Sequence, residues 1–361
     1  MIWRFKNISA IRLLLSVLVL GISAGCMKWE YGEEVEKIDI PASGLVICNE
    51  GNFQYGNATL SFYNPADNSV ENELFYRANG FRLGDVAQSL TMQDDRLWVV
   101  VNNSHVVFAI NPDTFKEIGR IENLTSPRFI HFVNDRKAYI TQLWDNRITI
   151  VDPKRYEITG YITVPDMNTS SGSTEQMVQI GKYVYCTCWS YQNRIIRINS
   201  DTDEVDASLE VGIQPRSMVS DNRSRLWVLC DGGDATSPYG HEAPSLVVVD
   251  PGTMEVVRRF VFGAKDSVKD LVINAEGDCL YWINGGVWSM NTGDRYLPDA
   301  PVIPDRGTIY YSLTVSPWDG DIYVADAIDY QQQGLIYRYS AAGVLKNQFY
   351  AGVTPGAFCW K

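Results

Sequence analysis

The chain has 361 residues, 45% of them hydrophobic and 12% aromatic, with 28 Gly and 15 Pro, a composition that excludes intrinsic disorder and collagen-like repetition. Asp and Glu number 43 against 31 Lys and Arg, a formal net charge of -12, so the surface repels phosphate backbones and nucleic acid is not expected as a partner.

Residues 1–25 carry Arg4, Lys6 and Arg12, no acid, and an apolar run from Leu13 to Ile22 that falls short of the ~20 residues a spanning helix needs. The small residues Ser23, Ala24 and Gly25 then lead to Cys26, so the segment reads as a secretory leader rather than part of the fold. The arrangement resembles a bacterial lipoprotein signal, which implies Cys26 as the lipid-attachment residue and a membrane anchor. Residues 26–44 hold Glu30, Glu33, Glu34 and Glu36, an expected acidic lipidated tether. It resembles the acidic export tag of Bacteroidota-type surface lipoproteins; a solvated tether carrying no address is the plainer alternative.

From residue 45 to 361 one pattern recurs. An apolar triplet with an aromatic centre in most copies appears seven times: Leu45-Val46-Ile47, Leu97-Trp98-Val99, Ala138-Tyr139-Ile140, Val184-Tyr185-Cys186, Leu226-Trp227-Val228, Leu280-Tyr281-Trp282 and Ile322-Tyr323-Val324. A turn written Asn-Pro or Asp-Pro in four copies, and Asn199-Ser200, Asn291-Thr292 or Tyr339-Ser340 in the others, follows the next strand with the same period. A unit of roughly 40 to 50 residues with short alternating strands buries its faces only by stacking on its neighbours, the mark of a propeller blade. The expected fold is therefore all-β, a seven-bladed propeller over residues 45–361. Thr354 to Trp360 reads like the blade openings Ser126-Pro127-Arg128-Phe129 and Gln214-Pro215-Arg216-Ser217, whereas the first blade has no opening strand before Leu45. Val353 to Trp360 is thus expected to supply the innermost strand of blade one and close the ring.

Beyond Cys26 there are six cysteines, Cys48, Cys186, Cys188, Cys230, Cys279 and Cys359, all inside strand patterns. Buried free thiols fit that placement, although the expected closure sets Cys48 and Cys359 on neighbouring strands where a bridge is the other reading. No metal, cofactor or catalytic motif is expected. Cys186 and Cys188 lack the spacing and partners of a zinc site, and Asn199-Ser200-Asp201-Thr202-Asp203 occupies a hairpin-turn position rather than a calcium loop.

The loops after the triplets gather on one face of a propeller, the usual ligand platform. Here they mix rings with amides and carboxylates: Phe53, Tyr55, Asn103, Gln142, Trp144, Trp189, Tyr191, Gln192, Asp231, Tyr239 and Tyr330 are the candidate ligand-binding residues. Stiff rings give contact area at low entropic cost and amides fix orientation, a combination suited to a bulky, polar-rimmed ligand.

Leader, acidic segment and seven marked repeats together resemble the YncE-like propeller lipoproteins of Bacteroidota-type cells, most of all the BtuG-type proteins. That resemblance implies a non-enzymatic, cell-surface outer-membrane lipoprotein that captures cobalamin as transported ligand and delivers it to a TonB-dependent outer-membrane transporter. Two alternatives stand beside it: a glycan- or protein-binding propeller, and a metal-dependent lactonase or lyase using carboxylates such as Glu50, Asp231, Asp326 and Asp329.

Overall fold

In a computed structural model, residues 35–168, 170–234 and 240–361 are described, and Cys26 and Tyr239 lie outside them. Residues Glu36–Lys361 form one unit. Each triplet lies in the second strand of a blade, and every one of its residues is buried. Both faces of these strands meet neighbouring blades, which is why the triplets read as continuous apolar runs rather than as alternation. The strands assemble into seven antiparallel sheets, the blades of a seven-bladed propeller.

The recurrent turn has one physical basis. In five blades an Asn or Asp side chain accepts a backbone N–H two residues on, at 2.8–3.0 Å: Asn64 from Ala66, Asn111 from Asp113, Asp152 from Lys154, Asn199 from Asp201 and Asp250 from Gly252. The residue four beyond each (Asn68, Phe115, Tyr156, Asp203, Met254) then takes a left-handed conformation, with φ between 55° and 63°. The calcium-like string 199–203 is one of these turns, and Asp203 binds Lys137 at 2.9 Å.

Six sheets have four strands and blade six has three. Its missing outer strand would fall where Pro298, Pro301 and Pro304 stand, and prolines donate nothing to a ladder. Ile303, buried, instead bridges Val287 on the open edge. One short α-helix, Leu74–Asn79, is found among the described residues and packs Leu74, Phe75 and Ala78 inward between blades one and two. Part of the segment expected as tether is held against the propeller: Ile38 and Ile40 are buried, and Arg77 pairs with Glu36 at 2.7 Å.

The ring closes as the sequence indicates, two residues later than expected, by Pro355–Trp360 pairing antiparallel to Leu45–Asn49. Gly44 and Lys361 exchange backbone hydrogen bonds of 2.9 and 3.2 Å, and the buried Asn49 side chain accepts from the Gly352 N–H at 2.9 Å. In this register Cys48 faces Ala357 while Cys359 faces Val46, and all six described cysteines are free thiols.

Candidate ligand site in the central channel

Every blade's innermost strand carries one extra residue near its start. Pairing skips a step between Ala87 and Ser89, Pro127 and Ile130, Thr174 and Met177, Pro215 and Ser217, Lys269 and Val272, Tyr310 and Ser312, and across Gly356. Such bulges re-aim side chains, and here seven in register build a ring around the axis. Its members Gln88, Arg128, Glu175, Arg216, Asp270, Tyr311 and Gly356 line one cavity of about 610 Å3, with Glu50 beside them. Gly356 is required there: a Cβ would stand 2.1 Å from Glu50 Oε1, so the missing side chain makes room for the carboxylate.

The ring is cross-braced. Arg128 Nε donates to Glu175 at 2.9 Å and its Nη1 donates to Gln88. Tyr311 donates its hydroxyl to Glu50 at 2.9 Å. The Trp189 indole donates to Asp231 at 3.1 Å, and the guanidinium carbons of Arg128 and Arg216 lie 5.8 and 5.7 Å from its ring centroid. Burial pushes Glu50 up to about 7, against the opposing pull of the Tyr311 hydrogen bond and the Arg128 and Arg216 charges. Asp270 rises to about 6 for the same reason, although the Leu313 N–H donates to it. Burial also raises Asp231 and lowers Lys269.

Of the residues expected at the ligand face, Phe53, Trp144 and Trp189 line this cavity, Phe53 and Trp144 being 59% and 53% exposed. Tyr55 is 76% exposed on the same loop as Phe53. Tyr330 stacks edge-on against Tyr311 at 5.7 Å, and its carbonyl accepts from Asn52, joining the two loops. Asp231 stands behind Trp189. Asn103 donates to Asp85, which also accepts from Gln54 N at 2.8 Å, so it braces the rim. Tyr191 holds a left-handed turn position at φ 53°, and the Gln192 carbonyl accepts from Gln214 N at 2.7 Å.

Gln142 sits elsewhere. It is 2% exposed; its Oε1 accepts from the N–H groups of Thr125 and Ser126 at 3.1 and 3.0 Å, and its amide donates to Thr149 at 2.7 Å. Gln142→Leu is therefore expected to destabilise the fold by about 1–3 kcal/mol, because the buried Ser126 N–H and the part-buried Thr125 N–H lose their acceptor. An unchanged urea midpoint would show that those donors find another.

The carboxylates of the metal-dependent alternative are dispersed. Asp326 accepts from Ile309 and Ile328 N–H, Asp329 from Gln331 and Gln332 N–H, and no group of three or more His, Cys, Asp or Glu among the described residues is placed to hold a metal ion. Sequence reasoning passed over Arg128, Glu175, Arg216, Asp270 and Tyr311; the repeated Pro-Arg at 127–128 and 215–216 was the available signal.

Fold and site define a seven-bladed propeller with a charged, aromatic-rimmed central cavity. Residues 43–342 match the family described as Domain of unknown function (DUF5074), and the chain belongs to it. No curated protein matches the sequence. Among solved structures, a quinonprotein alcohol dehydrogenase-like protein from Bacteroides thetaiotaomicron aligns at 12% identity and TM-score 0.66, over 88% of this chain and 78% of that one. The periplasmic gluconolactonase of Pseudomonas aeruginosa aligns at 13% and 0.66, over 88% and 98%. The Kuenenia stuttgartiensis hydrazine synthase aligns at 16% and 0.60, over 75% and 88%. These likenesses are of fold. They correct the expectation of a non-enzymatic protein to this extent: propellers of the same span include a gluconolactonase, so the fold is one that enzymes share.

Proposed function

We propose that this chain is a cell-surface lipoprotein, anchored at the outer membrane through Cys26, that captures a bulky amide-bearing ligand of the cobalamin class and passes it to a TonB-dependent transporter. The observation that supports this most is the exposed aromatic rim, Phe53, Tyr55, Trp144 and Tyr330, set over a polar cavity to which all seven blades contribute. Exposed rings clustered around one opening are costly unless something covers them, and a cavity of about 610 Å3 lies in the range that holds small-molecule ligands. A large ligand rests its apolar faces on the rim and directs polar substituents toward the ring below. Among the described residues no helix is long and apolar enough to cross a membrane.

Calorimetric titration of cobalamin into the protein is expected to give one-to-one binding, weakened roughly tenfold or more, about 1.4 kcal/mol, by Trp144→Ala or Trp189→Ala. Absence of heat and of retained colour after dialysis removes this reading and turns the search to glycans and partner proteins.

A second reading is favoured by one observation, the Glu50–Tyr311 pair facing Arg128 and Arg216. A carboxylate poised near 7 takes a proton from water at neutral pH, and guanidinium groups steady a developing oxyanion. In a sugar lactone, that water would attack the carbonyl carbon, the ring C–O bond would break, and the departing oxygen would take up the proton to give the open acid. Hydrolysis of gluconolactone above background, abolished in Glu50→Gln, is the expected result under this reading; equal rates in both proteins would dismiss it.

A further inference from the structure

The charges in the channel are unequally partnered. Each carboxylate there accepts from a donor of the fold: Glu175 from Arg128 and Ser173, Glu50 from Tyr311, Asp231 from Trp189 and Gly233, and Asp270 from the Leu313 N–H. Arg128 is bound on both sides. Two cations on adjoining blades are held differently: among the described residues neither the exposed Arg216, whose guanidinium lies over the Trp189 ring, nor Lys269, whose ammonium approaches the Tyr311 ring at 5.4 Å, makes a hydrogen bond or ion pair, although the charges of Glu50, Asp231 and Asp270 act on Arg216 and that of Asp270 on Lys269. The two feel one another, since burial first and the Arg216 charge second push Lys269 below its ordinary value, against the opposing pull of Asp270. Arg216 thus lines the cavity and Lys269 stands beside the lining Tyr311, each against an aromatic face and with hydrogen-bonding capacity unfilled among the described residues.

We propose that Arg216 and Lys269 form a seat for one oxyanion group of the ligand, a phosphodiester or a carboxylate, clamped between blades five and six. A guanidinium offers a planar fork and an ammonium a movable point charge, the pairing that suits an oxyanion approached from two sides. The rest of the molecule narrows the class further. With a formal net charge of -12 the protein repels polyanions at long range, so the fitting ligand carries a single anionic group on a bulky, otherwise neutral body. This inference rests on the reading that ligands enter this channel, but it does not depend on the ligand being a corrinoid.

The test uses simple anions first. Inorganic phosphate and acetate are titrated separately into the protein, against sodium chloride at matched ionic strength, with Trp fluorescence and thermal unfolding as readouts. Saturable binding in the millimolar range by either anion, about 4 kcal/mol at 1 mM, is expected for the parent protein. It is expected to be lost in Arg216→Gln, reduced in Lys269→Met and retained in Lys116→Gln, which removes an exposed charge from the outer turn of blade two. The anion that binds distinguishes a phosphate-type from a carboxylate-type seat. A second arm compares cobalamin with cobinamide, which lacks the nucleotide phosphodiester: a preference of about tenfold for cobalamin, abolished by Arg216→Gln, is expected if the cargo is a corrinoid. Anion binding without any corrinoid binding would uphold the seat and dismiss the corrinoid. No saturable response to either anion, or one that persists in Arg216→Gln, would overturn the proposal even if cobalamin binds.

Discussion

Removal of residues 354–361 is expected to leave a protein without a cooperative unfolding transition. Pro355–Trp360 is the innermost strand of blade one, so its loss strips the inner edge from Leu45–Asn49 and uncovers the adjoining face of blade seven. It also takes away the Ser312 Oγ bond to the Pro355 carbonyl (2.7 Å) and the Trp360 indole bond to Thr314 (3.1 Å). Trp360 packs edge-on against Tyr323 at 5.2 Å and Trp318 at 5.1 Å, so its departure opens the core between the first and last blades. The combined loss is comparable to the whole stability of a domain, about 5–15 kcal/mol. A milder change, Trp360→Ala, keeps the strand and is expected to lower stability by about 3 kcal/mol, the low end for truncating a large aromatic, because this ring is only part-buried. Urea unfolding followed by tryptophan fluorescence reads both; a sharp, unshifted transition in the truncated chain would refute the closure.

Replacing Glu50 with Gln is expected to make the protein more stable in alkali and no different in acid. In the folded state this carboxyl titrates near 7, against 4.5 for the free side chain, and burial is the main cause. Between those values the folded protein keeps a proton that the unfolded chain has released, so stability falls as pH rises from about 4.5 through about 7. The interval corresponds to about 3 kcal/mol. Asp270, raised to about 6 from 3.8, adds a fall of the same sign over a slightly lower range. Glu50→Gln keeps an acceptor for the Tyr311 hydroxyl and removes the ionisation. Its stability should therefore exceed that of the parent by up to about 3 kcal/mol at pH 8.5 and match it near pH 4. Parallel pH dependences in the two proteins would mean that Glu50 titrates in water-like surroundings.

The architecture was legible because its cause is local and repeated. Seven triplets are apolar on both faces since blades stack on both sides, and five Asn or Asp turns share one side-chain hydrogen bond. The three-stranded blade six was not anticipated, although Pro298, Pro301 and Pro304 stand where its outer strand would run. Phe53, Trp144 and Trp189, which line the cavity, were singled out for the simple reason that large aromatics in polar loops stand out. The charged ring beneath them was not. Its members occupy equivalent positions yet differ in chemistry, Arg in two blades and Gln, Glu, Asp, Tyr or Gly in the rest, so no motif joins them. Gln142 marks the opposite difficulty. An amide two residues after a triplet has the composition of a ligand contact, but that position faces the opening of a blade, where backbone N–H groups need an acceptor. Asn102, one blade earlier, differs: it lines the cavity and its amide donates to Ser126 and to the Pro127 carbonyl at 2.9 and 3.0 Å.

The seam between first and last blades also governs the order in which the molecule is finished. Asn49 and Gly352 lie 303 residues apart and share a hydrogen bond, so the sheet begun by the earliest blade strand stays incomplete until almost the whole propeller has been synthesised. Contacts of such separation form slowly, and until they form the exposed edge of Leu45–Asn49 is open to pairing with another chain. Slow refolding and loss to aggregation at high protein concentration are the kinetic signature that this geometry imposes, even on a protein whose finished ring is stable.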